Sequence, residues 1–173
     1  MGVGFVTHEH PDHIGGIARS PYLSRIVDRL LLTTEQARNQ SAMQPFAFPP
    51  DLVPSLRPLD CERHCPLAPG VVLVRAPGHT TGSQLVYVQL EDGVELLLVG
   101  DVAWHRTHIE EPRGRPRISS WLMGEDHEAV ASQLRALHEL AERSSVRIVI
   151  SHDGEQLASY TAQGILGSGF ERR

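Results

Sequence analysis

Thr7-His8-Glu9-His10-Pro11-Asp12-His13 is the stretch of this 173-residue chain that decides its fold. It follows Gly4-Phe5-Val6, which predicts an extended segment. Side chains two positions apart on an extended segment point to the same side of the backbone, so His8 and His10 face one way. Two imidazoles on one side can bind one metal ion, which is the first indication of a metal site.

The second half of the stretch can face a neighbouring metal ion. Pro11 bars a continuing strand, and Gly15-Gly16 permits a tight bend. Asp12 and His13 can then turn round beside the first two histidines. One short loop therefore predicts ligands for two metal ions.

Three further candidate ligands each follow an apolar run that predicts a β-strand. They are His79 after Val71–Arg75, Asp101 after Leu96–Val99, and His152 after Val146–Ile150. Loops converge at the carboxyl ends of strands in α/β sheets, so residues distant in sequence can meet there. Each residue alone is more often structural, but together with the first stretch they predict a metal centre.

This ordered set resembles the full ligand set of the metallo-β-lactamase fold superfamily, and the resemblance spans nearly the whole chain. It implies the α/β (α+β) class and an αββα sandwich in a single domain, residues 1–173. It also implies a ligand assignment, in which His8, His10 and His79 hold one metal, Asp12, His13 and His152 hold the other, and Asp101 bridges them. Relatives with a di-iron centre generally carry a carboxylate where this chain has His10. The nitrogen-rich set therefore favours zinc, two per chain, with iron as the alternative metal.

The resemblance implies a hydrolase that cleaves an ester, thioester or lactone-like carbonyl of a small molecule through a metal-bridging hydroxide. Asp12 and Asp101 are the candidate catalytic residues, because either carboxylate could relay a proton. One alternative is a persulfide dioxygenase-like enzyme, in which a single iron is bound at positions matching His8, His79 and Asp101. The other is a truncated remnant without catalytic activity.

Two departures from the family pattern bear on these expectations. Relatives place several strands before the first motif, so we expect a sandwich whose first strands are missing and whose strand Val3–Thr7 has an exposed edge. Poor stability of the lone chain, or association into a homo-oligomer, would follow. Trp104 stands where the similar acyl-homoserine lactonases carry a tyrosine, which places lactone substrates in doubt because an indole is not a phenol acid.

Basic and titratable side chains are concentrated after Asp101, in His105–His108 and Arg113–Arg117. They predict either a solvated loop or a site for an anionic group of the substrate. On the second hypothesis, Arg115→Ala raises the Michaelis constant for an anionic ester and leaves a neutral ester unchanged.

Composition narrows the class of protein. The net charge is -5 and every basic side chain apart from histidine is arginine, so no nucleic-acid partner is expected. No apolar run approaches the length of a membrane span, so a cytoplasmic location without a membrane partner is expected. Cys61 and Cys65 are then expected to be a reduced thiol pair.

Periodicity and turn residues predict the main elements. They predict a strand at Val3–Thr7, a helix from Ile14, an extended Arg29–Thr33, a helix at Glu35–Met43 capped by Thr33 with Gln36, an irregular Pro45–Pro58, a hairpin of Leu85–Leu90 with Glu95–Val99, and a helix at Glu128–Arg143.

Overall fold

Two β-sheets form the centre of the fold in this computed structural model, which describes residues 2–39, 56–59, 62–112 and 114–167. The first sheet is parallel and runs in the order β1 (Gly2–Phe5), β2 (Val27–Leu32), β3 (Leu56–Pro58). The second sheet runs in the order β4 (His64–Ala68), β5 (Val71–Arg75), β6 (Gln84–Gln89), β7 (Glu95–Leu98), β8 (Arg147–Val149). It is antiparallel up to β7, and β8 joins β7 in parallel. The sheets and helices confirm the expected αββα sandwich.

Seven α-helices lie within the described residues, and one of them, His127–Arg143, closely matches the predicted Glu128–Arg143. They are α1 (Pro11–Arg19), α2 (Pro21–Ile26), α3 (Thr34–Arg38), α4 (Thr107–Glu110), α5 (Arg117–Met123), α6 (His127–Arg143) and α7 (Gly154–Ala162). The capping box of Thr33 and Gln36 at the start of α3 is confirmed. The hairpin between β6 and β7 is also confirmed, with Gly93 at a φ of 85° in its turn.

Two local predictions are wrong. The helix predicted from Ile14 begins at Pro11, which is favoured in the first helical turn, so Gly15-Gly16 lies inside α1 and forms no bend. Leu56–Pro58 was expected to be irregular but pairs with β2, where an edge position tolerates a proline. The rest of that segment, and the predicted helix beyond Asn39, lie outside the described residues.

Buried apolar side chains form one cluster against each sheet. Leu134 of α6 and Ile150, just after β8, are fully buried in the larger cluster. Ile14 of α1 packs with Leu30 and Leu32 of β2 in the smaller one. Burial of each such side chain stabilises the fold by about 1.5–3 kcal/mol, so both helices are anchored to their sheets.

Hydrogen bonds join the segment after β1 to the second sheet. The backbone N–H of Gln84 donates to Thr7 O over 2.8 Å, and the Gln84 side chain donates to Val6 O over 2.7 Å. The buried Gln36 side chain donates to Gly82 O over 2.8 Å. These bonds hold the first motif beside the loop that contains His79.

The edge of β1 is open within the described residues, where β1 pairs only with β2. The side chain of Val3 is 52% exposed there. No helix among the described residues has the length and apolar character needed to cross a membrane. Cys65 is disulfide-bonded, so the expectation of a reduced thiol is wrong at this position, while Cys61 lies outside the described residues.

Candidate metal centre

The first motif divides between a loop and a helix start. His10 is the N-cap of α1, with extended backbone at φ −67° and ψ 150°, so His8 and His10 precede the helix. Asp12 and His13 lie in its first turn. The backbone changes from extended to helical between these two pairs of residues. His8 and His10 therefore approach the site from the loop, and Asp12 and His13 approach it from the helix.

The structure brings all seven predicted side chains together, and their potential ligand atoms fall into three groups. Within each group the atoms lie within 4.8 Å of one another. The groups are His8 with His10 and His79, His8 with His13 and Asp101, and Asp12 with His13 and His152. The shared members make the three groups one continuous cluster.

The distances within the cluster are short. Asp101 Oδ1 lies 3.0 Å from His13 Nε2 and 3.1 Å from His152 Nε2. His79 Nε2 lies 2.9 Å from His10 Nδ1. Asp12 Oδ2 lies 3.5 Å from His152 Nε2 at the outer side of the cluster. Asp101 is thus central, while Asp12 is 57% exposed.

Buried atoms without partners indicate that the cluster can hold metal. His8 Nε2 and Asp101 Oδ1 are buried and, within the described residues, no hydrogen bond satisfies them. An unsatisfied buried polar group costs about 1–3 kcal/mol, which a bound cation would offset. Five imidazoles and two carboxylates are a donor set that suits zinc, so the residues present fit a zinc pair.

The charge states of the cluster suit metal binding. Burial, together with the nearby His13, lowers the pKa of His8 to about 2, so this imidazole is neutral and keeps a lone pair. Burial opposes ionisation of Asp101, but the ring of His13, 3.0 Å away, and the other surrounding imidazoles hold the pKa of this carboxyl well below its usual range. A neutral imidazole and an ionised carboxylate are the forms that bind cations.

Glu125 is a buried neighbour of the cluster that sequence reasoning missed. Its Oε1 lies 2.5 Å from His79 Nδ1 and also accepts a hydrogen bond from Arg115. Burial opposes its ionisation, but the bonds from His79 and Arg115 lower its pKa. It follows α5 and belongs to no strand-end motif, so the sequence carried no signal for it.

The hypothesis that Arg115 binds an anionic substrate group is wrong. Arg115 is 4% exposed. Its guanidinium contacts Glu125 and the backbone carbonyls of Asp101 and Val102. The positive charge of Arg115 is already paired with Glu125 inside the protein. The local sequence around Arg115 could not reveal this pairing.

Trp104 also contacts the cluster. Its Nε1 donates to Asp101 Oδ2 over 2.9 Å, and the Arg115 guanidinium carbon lies 3.8 Å from the centre of its ring. The indole N–H is therefore engaged with a carboxylate of the protein.

Glu9, between the first two histidines, is a second buried carboxylate that sequence reasoning missed. It accepts hydrogen bonds from Asn39 over 2.7 Å and from Thr80 over 3.0 Å. Thr80 directly follows His79, so Glu9 ties the first motif to the His79 loop.

The cluster opens into a surface pocket of about 500 Å³. The pocket is lined by His10, Asp12, Asp101, Trp104, Met123 and His152. Trp104 and Met123 form an apolar wall beside the polar cluster. A small molecule that enters the pocket would meet both surfaces.

Comparisons with known proteins agree with this geometry. A family model described as "Metallo-beta-lactamase superfamily" matches residues 5–152. N-acyl homoserine lactonases of Bacillus thuringiensis and Bacillus cereus are 25% identical over 150 residues. The match covers 87% of this chain and 55% of those proteins, so the chain spans about half the length of these curated relatives.

Solved structures show the same fold. An N-acyl homoserine lactone hydrolase with the product N-hexanoyl-L-homoserine at its catalytic metal centre superposes with a TM-score of 0.65 at 20% identity, over 90% of this chain and 57% of that chain. A dizinc quorum-quenching lactonase superposes with a TM-score of 0.63 at 19% identity, over 88% of this chain and 57% of that chain.

Proposed function

The chain belongs to the metallo-β-lactamase superfamily, and from this premise we propose that it is a di-zinc hydrolase that cleaves an ester, thioester or lactone-like carbonyl. One metal would be held by His8, His10 and His79, the other by Asp12, His13 and His152, with Asp101 between them. When bound, a zinc pair supplies an activated water nucleophile and polarises the substrate carbonyl.

The observation that carries this proposal is that seven potential ligand side chains meet in one cluster, and that two of their buried polar atoms lack a hydrogen-bond partner within the described residues. His8 Nε2 and Asp101 Oδ1 are buried beside other ring nitrogens and, among the described residues, have no hydrogen-bond partner. A purely structural polar cluster would satisfy these atoms internally. Their arrangement supports a cation as the missing partner.

The two candidate catalytic carboxylates have different surroundings. Asp101 is 7% exposed and accepts the indole N–H of Trp104, so its carboxylate is held in one orientation and charge state. Asp12 is 57% exposed and lines the pocket. We assign the proton relay to Asp12 Oδ2, which would accept a proton from the nucleophile and return it to the leaving group. Asp101 would act mainly as a ligand.

The relatives support lactones among the candidate substrates, since the proteins that match over most of this chain are N-acyl homoserine lactonases. Trp104 does not take the place of the tyrosine found in the similar lactonases, because its N–H donates a hydrogen bond to Asp101. In our proposal the residue at this position orients Asp101 and leaves the substrate carbonyl to the metals. Esters, thioesters and lactones therefore form one substrate class to be compared directly.

A hydrolysis screen tests the proposal. Purified protein, with and without added zinc, is assayed on an aryl ester, a thioester, an N-acyl homoserine lactone and an aryl phosphodiester. We expect hydrolysis of one or more carbonyl substrates that a chelator abolishes and zinc restores. Hydrolysis of none of them by zinc-loaded protein would overturn the proposal, and persulfide oxidation by iron-loaded protein would favour the dioxygenase alternative.

A further inference from the structure

We infer that Glu125 and Arg115 are a positioning pair, which determines the ring nitrogen that His79 presents to the metal and holds the Asp101 segment beside it. The inference rests on the proposed function, because it concerns the same metal centre. It assigns a purpose to two buried side chains that would not themselves be ligands.

The first contact fixes the tautomer of His79. Glu125 Oε1 lies 2.5 Å from His79 Nδ1, and the two side chains are 0% and 1% exposed. A carboxylate only accepts hydrogen bonds, so of the two neutral tautomers it selects the one with the proton on Nδ1 and the lone pair on Nε2. His79 Nε2 is the atom that faces His10 Nδ1 at 2.9 Å and Asp101 Oδ2 at 3.5 Å. The tautomer selected by Glu125 therefore has its free nitrogen in the cluster.

The second contact extends the network to Asp101. Arg115 donates through one terminal nitrogen to Glu125, and through the other to the backbone carbonyl of Asp101. The planar guanidinium can make both bonds at once, whereas a lysine ammonium has no such fork. Arg115 also lies over the ring of Trp104, whose N–H donates to the Asp101 side chain. The network thus holds Asp101 through both its backbone and its carboxylate.

Stability alone does not account for this pair. A buried ion pair is often no more stabilising than well-packed apolar side chains, because both charges lose their hydration. Here Glu125 Oε2 and Arg115 Nε are buried and lack a hydrogen-bond partner within the described residues. The pair instead orients two candidate ligands, His79 and Asp101. This is the usual role of groups that surround a metal site.

A double substitution separates orientation from stability. Glu125→Leu combined with Arg115→Met replaces both charges with apolar groups of similar size, so the metal-free protein should remain folded and melt close to the wild type. The matched control is Glu128→Leu with Arg117→Met. That ion pair spans 3.3 Å on the surface, with side chains 75% and 79% exposed.

The first readout is the His79 tautomer in metal-free protein, measured by long-range ¹⁵N–¹H correlation NMR and assigned through the signals lost in His79→Gln. We expect the Nδ1–H form in the wild type and the control, and a mixture in the double variant. The second readout is zinc affinity from chelator competition, which should weaken about 10- to 100-fold in the double variant alone.

Either readout can overturn the inference. An Nε2–H tautomer in the wild type contradicts it, even if the double variant fails to fold. A folded double variant with unchanged tautomer and unchanged zinc affinity also contradicts it. A wild type that carries the Nδ1–H tautomer but binds no zinc would instead refute the proposed function and support the positioning of His79 by Glu125.

Discussion

The indole N–H of Trp104 donates a 2.9 Å hydrogen bond to Oδ2 of Asp101, the carboxylate at the centre of the candidate metal site. Trp104→Phe removes this donor and keeps an aromatic ring under Arg115. We expect zinc affinity, measured by chelator competition, to fall about tenfold or more. Unchanged zinc affinity with an altered Michaelis constant would contradict this role and place the indole N–H on the substrate.

Asp12→Asn tests the proton relay. The amide cannot accept a proton from the nucleophile, so we expect kcat to fall at least about a hundredfold, with a smaller change in the Michaelis constant. Zinc content is measured on the same preparation, because Asp12 is also a candidate ligand. Glu91→Gln, an exposed change on the β6–β7 turn, is the control. Full activity of zinc-loaded Asp12→Asn would remove Asp12 from the mechanism.

Acid should destabilise the metal-free protein through His8. Burial lowers the pKa of His8 to about 2 in the folded chain, whereas the unfolded value is about 6.5. The unfolded state therefore binds the extra proton between these values, and the free energy of unfolding decreases as pH falls below about 6.5. Thermal melts from pH 8 to pH 5 measure the slope. We expect a shallower slope in His8→Asn and no change in the exposed His64→Asn; equal slopes in all three proteins would contradict the prediction.

Gly100 directly precedes Asp101 and lies close to the side chain of Thr7. Its φ is +52°, and a Cβ there would lie 2.8 Å from Thr7 Cβ. Gly93 also has a positive φ, of +85°, but a Cβ there meets nothing within 4 Å. Gly93→Ala should cost about 1–2 kcal/mol of unfolding free energy from backbone strain, and Gly100→Ala clearly more because of the added overlap. Urea unfolding measures the free energy of unfolding of both variants. Equal losses of this free energy would contradict the prediction and show that Thr7 moves aside freely.

Local sequence patterns predicted the hairpin and the long helix α6, because each has a clear periodicity or turn signal, whereas the αββα sandwich was implied by the resemblance to the family. The seven motif residues also meet as expected, since each follows a strand or lies in the first motif. Their roles as ligands, like the cytoplasmic location and the homo-oligomer, stay predictions. Burial was not readable from sequence: Arg115 looked like part of a solvated or anion-binding loop, and Glu125 had no motif at all. Both are explained by contacts between segments that only the fold brings together.

Metal content per chain tests the central claim most directly. The protein is purified without chelators or a histidine-rich tag, and its metals are quantified by elemental mass spectrometry. The seven-residue cluster predicts about two zinc ions per chain, and fewer in His8→Asn. A single iron per chain, or a folded protein that takes up no zinc when it is supplied, would contradict the di-zinc account.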